Sequence, residues 1–131
     1  MAADIFRTEP LPAPESAAPS CRAIIDAPQA GWSQVAMGEW ELRGCEFGDR
    51  HPHDELNYVL AGHLVVECDG STVHAWPGDV VRVPAGSAAY YRTPEYARMV
   101  YVYGPNPDGQ ASAILRTGPA RDDGRPGPAR A

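Results

Sequence analysis

An all-β barrel or sandwich is the fold class this sequence predicts, on three observations. Short apolar runs recur roughly every 6–10 residues between turn signals, they alternate apolar with polar at a period of two, and no stretch carries a convincing helical repeat. At 131 residues the chain holds one domain at most. Ten of its 14 prolines fall outside residues 31–104. The compact part is therefore expected at 21–104, between a flexible arm at 1–20 and a Pro/Gly-rich tail at 105–131. A domain this small buries only about 60–65% of its unfolded surface, which favours a partner subunit.

Residues 1–20 are rich in Pro, Ala and acid without period and are expected to be disordered. Residues 22–27 form a short strand that could lie across another subunit. Strands at 33–37 and 39–47 follow. In the second, Trp40, Leu42 and Gly44 share one face and Glu41, Arg43, Cys45 and Phe47 the other. Strands at 55–60 and 63–68 flank Ala61-Gly62, and Asp69-Gly70 sets the next hairpin. The pair at 72–75 and 79–83 is joined through Pro77-Gly78-Asp79. The pair at 87–92 and 98–103, separated by Thr93-Pro94-Glu95, completes the set. Beyond it, the tail is expected to be disordered apart from 113–116, which could dock.

A formal charge of −6 and a pI near 5.1 argue against nucleic acid or an anionic membrane as partner. All 11 basic residues are Arg. That excludes a Schiff-base lysine and any phosphate loop ending in Gly-Lys-Ser/Thr. Three cysteines (Cys21, Cys45, Cys68) cannot all pair, and Asp4 and Arg7 interrupt the only apolar start. A cytoplasmic location is the expectation. No apolar run approaches the roughly 18 residues that span a bilayer.

The stretch from Gly48 to Gly86 carries the chemistry-bearing motifs. Glu55, six residues (LNYVLA) and Gly62 stand at one spacing; Gly78, five residues (DVVRV), Pro84 and Gly86 stand at another. Both spacings resemble the two motifs of the cupin superfamily. The resemblance implies a single-domain double-stranded β-helix, or jelly-roll barrel. A closer likeness, over roughly 39–105, is to the ethanolamine-utilisation Q-type cupins. It rests on Asp54-Glu55, YVLAG at 58–62, the PGD turn, 84–87, TPEYAR at 93–98 and MVYVYGP at 99–105.

The cupin resemblance implies that two His, a Glu and a late His point into the barrel and bind one divalent metal (Fe, Mn, Ni or Zn). Imidazoles with a carboxylate suit such ions while leaving positions open for substrate or O2. The late-His position is Ala89 here. Counting back from Glu55 places the paired-His positions on Asp49 and His51, which would give an Asp49, His51 and Glu55 set. Alternatively a shortened loop swings both histidines inward, giving a His51, His53 and Glu55 facial set, and this second set is the expected metal site.

Alternation sends Glu55, Asn57 and Val59 to one face, and Arg43, Cys45, Phe47, Asp49 and His51 inward on the partner strand. The expected pocket is built from Arg43, Cys45, Phe47, Asn57, Ala89, Tyr101 and Tyr103. Tyr91, Asp49 and Glu55 are its expected proton-moving groups. Against this, His-Pro-His also suits a solvated turn, and Glu55 with Asn57 a hydrogen-bonded core pair. His63 and His74 are expected on the strand surface.

The expected function is that of a metal-dependent small-molecule enzyme: an isomerase, lyase, cyclase or dioxygenase on a carbonyl- or oxygen-bearing substrate. The alternative is a metal-free ligand-binding or assembly barrel, to which the Q-type resemblance attaches an acetate kinase role. Nucleotide chemistry without Lys would rest on Arg43, Arg82 or Arg92 and a divalent ion. The small core leads us to expect a homodimer built by exchange of the 22–27 strand.

Overall fold

The period-two pattern of the sequence becomes ten strands in the computed structural model, which describes residues 3–7, 10, 18–27 and 31–120. In chain order these are β1 (Ser20–Ile25), β2 (Ala36–Leu42), β3 (Cys45–Arg50), β4 (Glu55–Gly62), β5 (Leu64–Cys68), β6 (Ser71–Ala75), β7 (Val80–Val83), β8 (Ala88–Arg92), β9 (Ala97–Tyr103) and β10 (Ala113–Pro119). One five-stranded sheet runs β1-β2-β9-β4-β7 and the other β10-β3-β8-β5-β6. Every pairing is antiparallel. Their inner faces enclose Leu42, Val59 and Met99 from the first sheet and Cys45, Leu64, Val66 and Tyr91 from the second. In β4 the alternation is complete: Glu55, Asn57 and Val59 are buried, while Leu56, Tyr58 and Leu60 are exposed.

The expected strand at 39–47 is two strands in different sheets. The chain turns a corner at Arg43-Gly44, where Gly44 has φ +59°, a conformation that costs a glycine little. Period two cannot be carried through such a corner. Arg43, expected to face the pocket, is instead exposed, with its guanidinium 4.7 Å above the Tyr96 ring. Residues 33–35 are exposed and outside any strand, and β2 begins at Ala36. The expected docking of 113–116 takes the form of β10, which pairs along β3 from Ala113↔Arg50 to Pro119↔Cys45. Much of the expected arm, and the tail from 121 on, lies outside the described residues. Among the described residues no helix is long and apolar enough to cross a membrane.

His63 and His74 are half-buried rather than solvated. Their Nε2 and Nδ1 atoms lie 2.9 Å apart, and His63 stacks on Trp76 at 4.2 Å.

On the side of β2 away from Trp40, Glu39 accepts hydrogen bonds from Arg22 of β1 and Arg98 of β9. Burial opposes the charge, but the two guanidiniums hold the carboxyl below its usual 4.5. A depressed folded pKa contributes stability that is present above 4.5 and lost as pH falls through the lower folded value. Glu39→Gln is therefore expected to lower the melting temperature at pH 7 and to flatten its fall towards pH 3. Parallel pH–melting curves for the two proteins would refute this role.

Candidate metal centre

β3 and β4 belong to different sheets, and the short loop between them is clasped by the turn at Pro84-Ala85-Gly86. Gly86 N–H donates to His51 O (2.8 Å), Ala85 N–H to Asp54 Oδ1 (2.8 Å) and Gly104 N–H to Asp54 O (3.1 Å). The second sequence motif thus holds the loop of the first in place.

Asp49 on β3, His51 in the loop and Glu55 at the start of β4 converge. His51 Nε2 lies 2.7 Å from Asp49 Oδ2 and 2.9 Å from Glu55 Oε2, and its Nδ1 lies 2.6 Å from Ser112 Oγ. Burial disfavours the charged ring, but hydrogen bonds and charge from Asp49 and Glu55 outweigh it, and the His51 pKa is pushed up to about 9. Without a cation, Nε2–H donates to the carboxylates, while Nδ1 faces Ser112 Oγ. Asp49 and Glu55 are only 6% and 5% exposed, and Asp49 Oδ1 is buried without any hydrogen-bond partner.

Glu55 Oε1 is held from behind. Asn57 Nδ2 donates to it at 2.7 Å and Tyr91 OH at 3.3 Å, while Trp40 Nε1–H donates to Asn57 Oδ1 at 2.8 Å. Burial first, then the charges of Glu55 and Asp49, push the Tyr91 phenol far above its ordinary range. Tyr91 therefore remains a hydrogen-bond donor to Glu55.

His53 is buried but stands apart from this cluster. Its ring stacks on Tyr103 (4.5 Å, 8°) and on His51 (4.8 Å, 19°), with Trp32 tilted against it at 5.6 Å. Its Nδ1 is 3.3 Å from the Asp54 carbonyl. Burial, then the neighbouring His51 charge, lower its pKa. Of the expected His51, His53 and Glu55, the structure thus brings His51 and Glu55 together and leaves His53 aside. The ligating atoms that lie within 4.8 Å of one another belong to Asp49, His51 and Glu55. The reason is register: β3 runs on through Arg50, so Asp49 and His51 share a side, and His53 lies one step further round the loop.

Phe47, Tyr101 and Tyr103 line a cavity of about 160 Å³ beside Asp49, His51 and Glu55, together with Cys21 and Trp40. Cys45, Asn57, Ala89 and Tyr91 are fully buried in the core rather than on the cavity wall. Ala89 lies directly across from Asp49 in the β3–β8 register, so a methyl group stands where a fourth ligand was sought. Cys21, Trp32 and Ser112 were missed because all three lie outside the 39–105 stretch that carries the likeness. A larger hollow of about 550 Å³ opens between the free edges of β6 and β7; five valines share its wall with Cys68, Asp69, His74, Asp79 and Arg82, and among the described residues it brings no three ligating groups together as Asp49, His51 and Glu55 are.

Two carboxylates and one imidazole, with one buried carboxylate oxygen unpaired, make a donor set that fits a divalent first-row ion. The sandwich of two five-stranded sheets with polar side chains gathered at one end of its interior defines a cupin barrel. The cupin domain of Schizosaccharomyces pombe Cnp3 superposes with a TM-score of 0.58 at 16% identity, covering 67% of this chain and 65% of that one, a likeness of fold. The chain belongs to the family described as ethanolamine utilisation protein EutQ, which residues 16–108 match. It is 33% identical over 92 residues to the acetate kinase EutQ of Salmonella typhimurium, covering 70% of this chain and 40% of that protein. The Clostridium difficile EutQ protein structure superposes with a TM-score of 0.59 at 27% identity, covering 69% of this chain and 64% of that one.

Proposed function

We propose that the chain is a small-molecule cupin enzyme that holds a divalent cation on Asp49, His51 and Glu55. It would act on a compact carbonyl- or oxygen-bearing substrate in the adjoining aromatic cavity. The observation that carries this reading is the convergence of three ligating groups, one with a buried oxygen that nothing satisfies. An unpaired buried carboxylate oxygen is costly unless an ion or proton answers it. Oxygen-rich donors weight the candidates Fe, Mn, Ni and Zn towards Mn and Fe. Bound there, such an ion supplies Lewis acidity for an isomerase, lyase, cyclase or dioxygenase reaction.

The protein's own residues do the rest. Phe47, Tyr101 and Tyr103 exclude water and set the substrate's size: about 160 Å³ is below the roughly 300 Å³ of a drug-sized ligand pocket. Without a cation, Asp49 and Glu55 share the proton on His51 Nε2; that proton would leave as the ion takes the nitrogen, and the carboxylates would then be the groups that exchange a proton with a bound substrate. Tyr91, expected to move protons itself, fixes Glu55 instead.

A second reading, a metal-free binding or assembly barrel with an acetate-kinase-like role, is favoured by one feature. His51 already lies within hydrogen-bond distance of both carboxylates, so a proton can answer them without a metal. Phosphoryl transfer is less well supported. Arg43 stacks on Tyr96 at the β2–β3 corner, Arg82 is exposed on β7 and Arg92 pairs with Glu67. The chain also spans only 40% of the Salmonella protein that carries the kinase description.

Metal analysis of protein purified without chelator decides between these. Near one equivalent of a first-row metal is expected in the parent protein, and none in His51→Ala or in folded Glu55→Gln. No metal in any of the three favours the second reading. The proposal includes a reducing, cytoplasmic setting, in keeping with three free cysteines. It also includes a homodimer in which β1 of each copy takes the same register on β2 of the other. A dimer that survives deletion of residues 1–30 would refute that exchange.

A further inference from the structure

The geometry points to Trp40 and Asn57 as positioning residues that decide which oxygen of Glu55 is offered to a cation, an inference that rests on the metal-holding reading above. Glu55 has two carboxylate oxygens with different surroundings. Oε1 accepts from Asn57 Nδ2 (2.7 Å) and Tyr91 OH (3.3 Å), whereas Oε2 lies 2.9 Å from His51 Nε2. Two donors on Oε1 pin the carboxylate plane and leave Oε2 as the oxygen to be shared.

What aims those donors is one strand removed. A buried asparagine amide can sit either way round, and its neighbours choose the orientation. Trp40 can only donate, and its Nε1–H lies 2.8 Å from Asn57 Oδ1. That bond turns the Asn57 NH2 towards Glu55; the reverse orientation would set Oδ1 against Oε1 and NH2 against the indole N–H, two repulsive pairs. Asn57 and Tyr91 are fully buried, and Trp40 and Glu55 are under a tenth exposed, so water offers no substitute partners. Trp40 is itself held edge-on by Phe47 (6.0 Å) and Tyr91 (5.1 Å). Neither Trp40 nor Asn57 is a ligand; both act through Glu55.

Trp40→Phe removes the N–H while keeping an aromatic ring against Phe47 and Tyr91, and Asn57→Leu removes the link itself. Zn(II) titration calorimetry of the full chain is expected to show about 10–100-fold weaker binding for each, the range seen when partners behind a ligand are lost. Trp40→Phe leaves the buried Asn57 Oδ1 without its donor, so its melting temperature should fall while the barrel stays folded at the titration temperature. Parent-like Zn(II) affinity in folded Trp40→Phe would overturn the inference. A second measurement keeps the inference testable apart from the metal. The indole N–H resonance of Trp40, identified as the one missing in Trp40→Phe, should move in metal-free Glu55→Gln while that of Trp76 stays in place. If the parent protein binds no Zn(II), the metal reading fails, and the relay stands or falls on that resonance. A Trp40 signal indifferent to Glu55→Gln overturns it.

Discussion

Asp49→Ala is expected to empty the metal centre, while His53→Ala leaves it loaded. Asp49 contributes one oxygen 2.7 Å from His51 Nε2 and a second, buried and unpaired, so its removal takes away both the nearest partner of His51 and the orphan acceptor. Loss of a partner behind a ligand costs about 10–100-fold in affinity, and loss of the ligand itself should cost at least the upper end of that range. His53 offers its ring face to Tyr103 and His51 and its Nδ1 to a backbone carbonyl. Its replacement opens a gap among stacked rings without touching the donor set. The check is metal content and Zn(II) affinity of the two variants, with circular dichroism to verify the fold. Metal retained in Asp49→Ala and lost in His53→Ala would restore the two-histidine set and overturn the register derived from β3.

The sequence made the barrel legible because its evidence is local. Alternation along 55–60, the Asp69-Gly70 hairpin and the two Gly-bounded spacings each need only a few neighbouring residues, and each survives in the structure as a strand or turn. The corner at Arg43-Gly44 was illegible for a related reason. A glycine inside a period-two pattern looks the same whether the strand continues or leaves its sheet, and so Arg43 was placed on the wrong side. At the candidate metal centre, Asp49, His51 and Glu55 were present in one of two possible registers. Telling them apart requires knowing where β3 ends, which the pairing Arg50↔Ala88 marks and the sequence does not display. The Trp40–Asn57 bond joins residues 17 apart in the chain, from strands separated by β9. Each residue reads alone as ordinary inward-facing core, and only the sheet order brings them together.

Gly62→Ala is expected to be among the most damaging single-methyl additions in the barrel, and comparison with Gly70→Ala shows why. Both glycines lie in the left-handed region, at φ +80° and +79°, where alanine costs about 1 kcal/mol from backbone conformation alone. At Gly70 a new Cβ meets open space. At Gly62 it would lie 2.1 Å from Tyr96 O, 2.7 Å from Tyr96 C and 3.0 Å from Ala97 Cα. These are backbone atoms and cannot rotate aside as a side-chain tip would. Tyr96 O also accepts from His63 N–H at 2.9 Å, so moving it breaks the bond that ties the β4–β5 link to the residue before β9. A total near 3 kcal/mol is expected for Gly62→Ala, within the tail of single-residue effects. At roughly 4–8 °C per kcal/mol the melting temperature should fall by about 12–24 °C, against about 4–8 °C for Gly70→Ala. Equal losses in the two variants would mean that the close approach at Tyr96 relaxes cheaply, and that Gly62 is required for its backbone angle alone. The Gly that closes the first motif lies at the far end of β4 from Glu55. Folded Gly62→Ala should therefore keep its metal, and its defect should appear in stability only.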